Sequence, residues 1–212
     1  MKLLDLFCGA GGAAMGYHRA GFEVVGVDVE PQPHYPFDFH QADAMTFPLD
    51  GFDVVHASPP CQDHTRQYVP REHGTGWMLA ATRERLVTTG KPWVLENVPG
   101  APMHPNVVLC GCVVGLDDIR RERWFETSPP LFVLRQPCYH PRPVISVTGT
   151  GTPTGTWKVY GSLKLSDFRR AMGIGWMNRA ELSQAIPPAY TEWIGRQLIN
   201  HLTVTTERTD AR

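Results

Sequence analysis

The chain has 212 residues, a formal net charge of −1, 42% hydrophobic and 19% charged residues. That length suits one α/β domain with a full core and a small appendage, and that balance excludes a low-complexity or strongly basic chain. No apolar run is long enough to span a bilayer, no cleavable signal pattern opens the chain, and five irregularly spaced cysteines are no disulfide framework; a reducing, cytoplasmic setting is expected.

Taken in chain order, short apolar runs alternate with helical or loop segments, the pattern of βαβ units. Strands are predicted at Lys2–Phe7, Glu23–Val27, Phe37–His40, Asp53–Ala57, Trp93–Glu96 and Val107–Leu109. Helices are predicted at Gly12–Ala20, Met78–Thr89, Leu165–Met172, Arg179–Gln184 and Pro188–Leu202, the last opened by the Pro187-Pro188 pair. Between Thr127 and Ser162 the chain turns rich in Pro, Gly and Thr, with Thr148–Pro153 its most loop-like part. The polar end, Thr203–Arg212, is predicted to fray.

Asp5-Leu6-Phe7-Cys8-Gly9-Ala10-Gly11-Gly12 runs from an apolar strand through a Gly-rich turn into a helix. Such a turn admits positive φ and lets a ligand approach the backbone, and the helix start adds unpaired N–H groups. The second strand ends at Asp28, placed to accept hydrogen bonds from ribose hydroxyls. The third leads to Asp43, placed to receive the amine of an adenine. The turn lacks the third glycine of the dinucleotide fingerprint and no P-loop lysine follows, which favours an adenosyl ligand without phosphates over NAD or ATP.

After the fourth strand comes Ser58-Pro59-Pro60-Cys61-Gln62. Open α/β sheets place their ligands beyond the carboxyl ends of strands, and a thiol fixed there by two prolines suits nucleophilic work once its pKa is lowered. Trp93-Val94-Leu95-Glu96-Asn97-Val98 ends a buried-type strand in a carboxylate. If Arg120–Glu126 is extended, Arg121 and Arg123 share a face. A thiol, a carboxylate and two guanidinium groups match a pyrimidine, with the acid at N3, an arginine at O2 and sulfur at C6. Each residue also has a plain structural use: Asp28 as a cap, Asp43 in a turn, Cys61 as a small hydrophobe.

Charge is unevenly spread. From Arg120 to Arg170 there are nine Lys/Arg against three Asp/Glu, while the rest of the chain is net acidic. A basic segment on an acidic body fits a local phosphate-binding face.

DLFCGAGG, Asp28, Asp43, PPCQ, ENV and RRER, in that order, resemble the motifs of the DNA cytosine-5 methyltransferases. The resemblance covers most of Lys2–Glu126 and resumes near Leu165–Leu202, where Gln184-Ala185-Ile186-Pro187-Pro188 is similar to the family's last cofactor-side motif. It implies a Rossmann-like α/β sheet with helices on both faces and a small irregular appendage. It implies a catalytic domain over 1–126, a reduced target-recognition segment over 127–162, C-terminal helices over 163–202 and a tail over 203–212. S-adenosyl-L-methionine is the implied cofactor, lined by Phe7, Gly9, Ala10, Gly11 and Gly12, with Asp28 on its ribose, Asp43 on its adenine, and Pro60 and Gln184 beside it. Cys61 would attack C6 of cytosine, Glu96 would bind or protonate N3, Arg123 would contact the base oxygen, and Arg121 would order the segment. The implied partner is DNA, either a duplex with the base flipped out or a single strand; methylation of a free nucleotide or RNA, and a non-catalytic accessory role, stay open.

Three departures from the family stand out. The 127–162 segment, with Arg135, His140, Arg142, Trp157, Lys158 and Tyr160, can hold a backbone or stack a base but is small for reading a long site in a major groove. Relaxed specificity, a single-stranded substrate or a protein partner would follow. Ser183-Gln184 replaces a Gly-Asn pair, and Ile119 stands where the family often has glutamine. Cys110, Cys112, Cys138 and His140 form a C-x-C…C-x-H arrangement, but the first pair lacks zinc-knuckle spacing. Alternation would also direct both of its thiols to one strand face, so the four are expected to be ordinary buried thiols and a surface loop with no metal, while a structural zinc site stapling the shortened region stays open. Trp176 and Met177 are expected to pack the last helices.

Overall fold

The computed structural model describes residues 1–64, 74–131, 138–141, 143–147 and 163–210, with side chains described as far as Val204. The predicted Thr148–Pro153 loop, and Arg135, Arg142, Trp157, Lys158 and Tyr160, lie outside the described residues.

Seven strands form one sheet: β1 Lys2–Leu6, β2 Glu23–Asp28, β3 Asp38–Gln41, β4 Val54–Ala57, β5 Trp93–Asn97, β6 Val107–Leu109 and β7 Arg123–Ser128. Their order is β3-β2-β1-β4-β5-β7-β6. The first five are parallel, and β7 runs antiparallel to both β5 and β6. β1, β4 and β5 are buried almost throughout, which is why they read as continuous apolar runs. The strand order reverses between β1 and β4, the switch point at which such sheets bind ligands.

Helices cover both faces. On one, α1 (Gly12–Ala20) and the long α5 (Pro188–Asp210) press against each other and against Leu3, Val24, Val54 and Val94. On the other, α2 (Trp77–Thr88) buries Leu79 and Leu86 against Leu4, Val27, Val55 and Leu95. A third cluster joins α3 (Leu165–Met172) and α4 (Arg179–Gln184) to Ile119, Ile145 and Val147. Ile119, at the family's glutamine position, is fully buried there and bridges to Ile145. Asn178 and Glu181 cap α4 reciprocally. Among the described residues no helix is long and apolar enough to cross a membrane.

Two expectations shift. Phe7 leaves the first strand because its φ is +58°. α5 continues past Leu202 to Asp210, so the polar end is helical rather than frayed that far; polar residues are compatible with a helix whose neighbours need not be buried.

The α1–α5 contact depends on small residues. A Cβ at Gly16 would meet Thr191 Oγ1, the Pro188 carbonyl and the Glu192 amide, and Thr191 Oγ1 donates to the Ala13 carbonyl at 2.8 Å. Gly16→Ala should therefore lower stability by about 1–3 kcal/mol, despite alanine's better helix propensity; chemical denaturation checks this, and an unchanged or raised midpoint would refute it.

His56, fully buried on β4, is a second sensitive point. Burial pushes its imidazole down to about 3, against about 6.5 when exposed. The unfolded chain binds a proton that the folded chain refuses, so this group removes stability as pH falls from about 6.5 toward 3, by up to ~1.4 kcal/mol per unit. His56→Asn should be less stable than wild type at neutral pH and show a shallower loss across that window. Parallel curves of denaturation midpoint against pH would count against the assignment.

Candidate active site

The turn after β1 is conformationally constrained. Phe7, at φ +58°, adopts a left-handed backbone that disfavours bulky residues by about 1–2 kcal/mol, and Gly11 follows at +83°. Tyr35 and Pro36 close over Gly11, so no side chain fits there. At Gly9 a side chain would meet nothing within 4 Å among the described residues, leaving an open shelf. Asp28 ties this turn to the next: its Oδ2 accepts from the Gly9 amide at 3.0 Å and its Oδ1 from the Glu30 amide at 3.0 Å. Trp176 Nε1 donates to the Ala10 carbonyl at 2.8 Å, so this residue also pins the glycine turn.

The remaining predicted cofactor residues surround the same edge. Gly12 lies against Ala185 and Ile186, just after Gln184, which is exposed at the end of α4. Asp43 follows β3 by two residues; its Oδ1 accepts from the Met45 amide at 2.8 Å, a turn-forming use. An open glycine shelf and two flanking carboxylates fit an adenosyl group without phosphates.

β4 lies beside β1, with Ala57 opposite Leu6, so the Ser58–Cys61 segment emerges next to the glycine turn. The Ser58 amide donates to the Leu6 carbonyl at 3.2 Å, and Asn97 Nδ2 donates to the Pro59 carbonyl at 3.1 Å, fixing the approach to Pro60 and Cys61. Beyond the thiol, Asp63 Oδ2 accepts from both the amide and the hydroxyl of Thr75 at 2.8 Å.

Glu96 sits near the carboxyl end of β5 and Arg123 at the start of β7; they form a buried ion pair, Nε to Oε1, of 3.0 Å. Arg121 precedes β7, so strand alternation does not place it on a shared face with Arg123. Instead its Nε donates to the Ala185 carbonyl at 3.0 Å and its Nη2 to the Ser183 carbonyl at 2.7 Å, gripping the chain on either side of Gln184. Tyr190 Oη donates to the Arg121 carbonyl at 2.6 Å.

These groups act on one another. Burial raises the Cys61 thiol above its ordinary value and Glu96 adds to this, while Arg123, Arg121 and the local backbone amide oppose it. Burial likewise raises Glu96, against Arg123, Ser58 and Arg121. Burial, with repulsion from Arg123, lowers Arg121 to about 9. The site is thus a half-buried thiol with one carboxyl group and two guanidinium groups.

Behind Glu96 runs a buried relay that the motifs did not reveal. Tyr17 Oη lies 2.9 Å from His56 Nδ1, His56 Nε2 lies 2.8 Å from Ser58 Oγ, and the Ser58 hydroxyl bonds Glu96. The neutral imidazole allows one consistent assignment with Glu96 ionised: Tyr17 donates to Nδ1, Nε2–H donates to Ser58, and Ser58 donates to Glu96. The sequence signal was a histidine inside an otherwise apolar strand, Val54-Val55-His56-Ala57.

A second grouping also departs from expectation. Cys110 directly follows β6, Cys112 lies in the 3-10 turn after it, and their side chains meet those of Cys138 and His140 in one cluster.

Residues 1–110 match the family model described as C-5 cytosine-specific DNA methylase. The Type II methylase M.HgiDII of Herpetosiphon aurantiacus is 28% identical over 116 residues, covering 46% of this chain and 32% of that protein. The Type II methyltransferase M1.HphI of Haemophilus parahaemolyticus is 33% identical over 124 residues, again covering 46% and 32%. The chain thus spans about a third of the length of these relatives. A candidate DNA modification methyltransferase from an Escherichia coli prophage superposes with a TM-score of 0.63 at 14% identity, over 96% of this chain and 99% of that one, a likeness of fold. With the family model covering just over half of its residues, the chain belongs to the C-5 cytosine-specific DNA methylase family.

Proposed function

We propose that this chain transfers a methyl group from S-adenosylmethionine to C5 of cytosine in DNA, with Cys61 as covalent nucleophile. The convergence of Cys61, Glu96, Arg121 and Arg123 beside an open glycine turn supports this most strongly. The cofactor would lie against Phe7, Gly9, Ala10, Gly11 and Gly12, with Asp28 toward its ribose, Asp43 toward its adenine, and Pro60 and Gln184 beside it. It supplies an electrophilic methyl group.

C5 of cytosine is a poor nucleophile. Addition of the Cys61 thiolate at C6 breaks the ring's conjugation and places electron density on C5. After C5 is methylated, it loses its proton and the C6–S bond breaks, restoring both the aromatic ring and the thiolate. Glu96, protonated, donates to N3, and Arg123 stabilises the base oxygen as negative charge enters the ring. Neutralising Glu96 also removes the anion that opposes the thiolate, so base binding and sulfur activation reinforce each other. Arg121 adds positive charge while holding the 183–185 segment in place.

A base stacked in a duplex cannot offer its face to the sulfur, so the cytosine is flipped out or already unpaired. The short 127–162 segment favours relaxed sequence preference, or a protein partner that selects the site. A reducing cytoplasm keeps the thiol competent.

Labelled S-adenosylmethionine incubated with unmodified DNA should place label on C5, and Cys61→Ser should transfer below about a hundredth of it. No label on duplex or single-stranded DNA at low salt would end the proposal. Glu96→Gln should make Cys61 titrate at lower pH in alkylation assays, yet slow methyl transfer by about 10²–10⁴-fold; a faster enzyme would contradict the role given to the carboxyl group. Ser58→Ala should lower kcat by roughly tenfold, as expected for one hydrogen bond to a charged group, and leave cofactor affinity unchanged. Loss of cofactor binding instead would make Ser58 a mere structural prop.

A further inference from the structure

Four side chains that the proposed reaction does not use converge at the far edge of the sheet. Cys110 Sγ lies 3.3 Å from His140 Nε2, Cys138 Sγ lies 3.0 Å from the same nitrogen, and Cys112 Sγ lies 3.5 Å from Cys138 Sγ. All four ligand atoms fall within 4.8 Å of one another. None of the three sulfurs is in a disulfide.

We propose that Cys110, Cys112, Cys138 and His140 bind one structural zinc ion. Zinc–sulfur bonds of about 2.3 Å and zinc–nitrogen bonds of about 2.0–2.1 Å, set tetrahedrally, require S···S edges of about 3.8 Å and S···N edges of about 3.6 Å. The observed separations of 3.0–3.5 Å, with all four atoms within 4.8 Å of one another, bracket those edges. Three soft thiolates and one imidazole form a tetrahedral donor set typical of zinc. Four protein ligands leave no open position, which marks a structural rather than a catalytic ion. Binding displaces the three thiol protons to solvent, with no change of oxidation state. Ligation through Nε2 puts the imidazole proton on Nδ1.

The backbone explains how a C-x-C pair works here. Cys110 follows β6 in an extended conformation, and the chain then turns through Gly111–Val113, so the pair does not lie along one strand. Gly111 leaves no room for a side chain, with the Leu116 and Ile119 carbonyls against it. The returning segment is also held by the Ile145 amide, which donates to the Asp118 carbonyl at 2.7 Å. The ion would join the end of β6 to the chain that follows β7, fastening the base of the target-recognition segment to the catalytic sheet.

The test is the metal content of the whole chain, produced with zinc in the medium and purified under reducing, chelator-free conditions. Mass spectrometry of the metal should give about one zinc per chain. Cys138→Ser and His140→Ala should reduce this at least tenfold, while His140→Cys, which restores a fourth thiolate, and Cys61→Ser should retain it. Chelated wild type given Co²⁺ should show the absorption of tetrahedral cobalt thiolate, a readout independent of how well the variants fold. Folded wild type with under about a tenth of an equivalent of zinc, and no uptake of added Zn²⁺ or Co²⁺, would overturn the proposal. So would a Cys112–Cys138 disulfide in protein alkylated at lysis.

Discussion

The Glu96–Arg123 ion pair is the constraint around which this molecule is organised. Glu96 and Arg121 are buried, and Arg123 is largely covered beside them. Removing an ion from water costs several kcal/mol even after relaxation, and a buried pair offsets that only when the remaining donors and acceptors are also satisfied. The surroundings provide much of this, although the buried Arg121 Nη1 has no partner among the described residues. Ser58 bonds the carboxylate and is itself held by His56 and Tyr17. Arg121 donates to two carbonyls, and its own carbonyl accepts from Tyr190. With one carboxylate and two guanidinium groups, the cluster keeps an excess positive charge beside Cys61. That surplus favours a thiolate, while burial and Glu96 oppose it. On the proposed mechanism the balance tips when a base engages Glu96.

Sheet topology makes this arrangement possible. Cys61 and Glu96 follow or end parallel strands, so they project from the carboxyl edge. A residue at the start of another parallel strand would lie at the opposite edge. β7 runs the other way, pairing Asn97 with Trp124 and Glu96 with Phe125, so its first residue, Arg123, lies beside the end of β5. The antiparallel strand is therefore part of the site's chemistry as well as of the sheet. The α1–α5 contact serves the same end. α5 carries Tyr190 to the Arg121 carbonyl, and the segment leading into it lies against Gly12.

Much of this was legible in the sequence because the candidate catalytic groups follow or end short, buried strands. Val54-Val55-His56-Ala57 and Trp93-Val94-Leu95-Glu96 read as strands from apolar content alone, and their ends point to an edge whatever the helices do. The tertiary uses of polar side chains were not legible. Nothing in its spacing connects Trp176 to the Ala10 carbonyl, 166 positions away. Arg121 and Arg123 were read as sharing a face if the segment were extended, whereas the strand begins only at Arg123, and Arg121 reaches the site while gripping the Ser183 and Ala185 carbonyls. Alternation likewise does not govern the C-x-C pair, because it applies within β6 and the chain leaves that strand before Cys110.

The cysteine cluster bears on how a short chain could manage recognition. A target-reading segment must be held firmly at its base, or the entropy of ordering it on DNA would consume much of the binding energy. In a larger protein, a second core provides that rigidity. Here the described residues of that segment are attached at the third hydrophobic cluster, where Ile145 and Val147 meet Ile119 and Phe168, and at the Cys/His cluster beyond β6. The first combines burial with two hydrogen bonds, from the Ile145 amide to the Asp118 carbonyl and from Arg179 Nη1 to the Val147 carbonyl. The second brings three thiols and an imidazole together with too little apolar surface to do so by packing, since Cys138 is exposed and Cys112 only half-buried. On the zinc reading, the ion adds directional bonds where hydrophobic area is scarce, the usual solution in small, loop-rich structures.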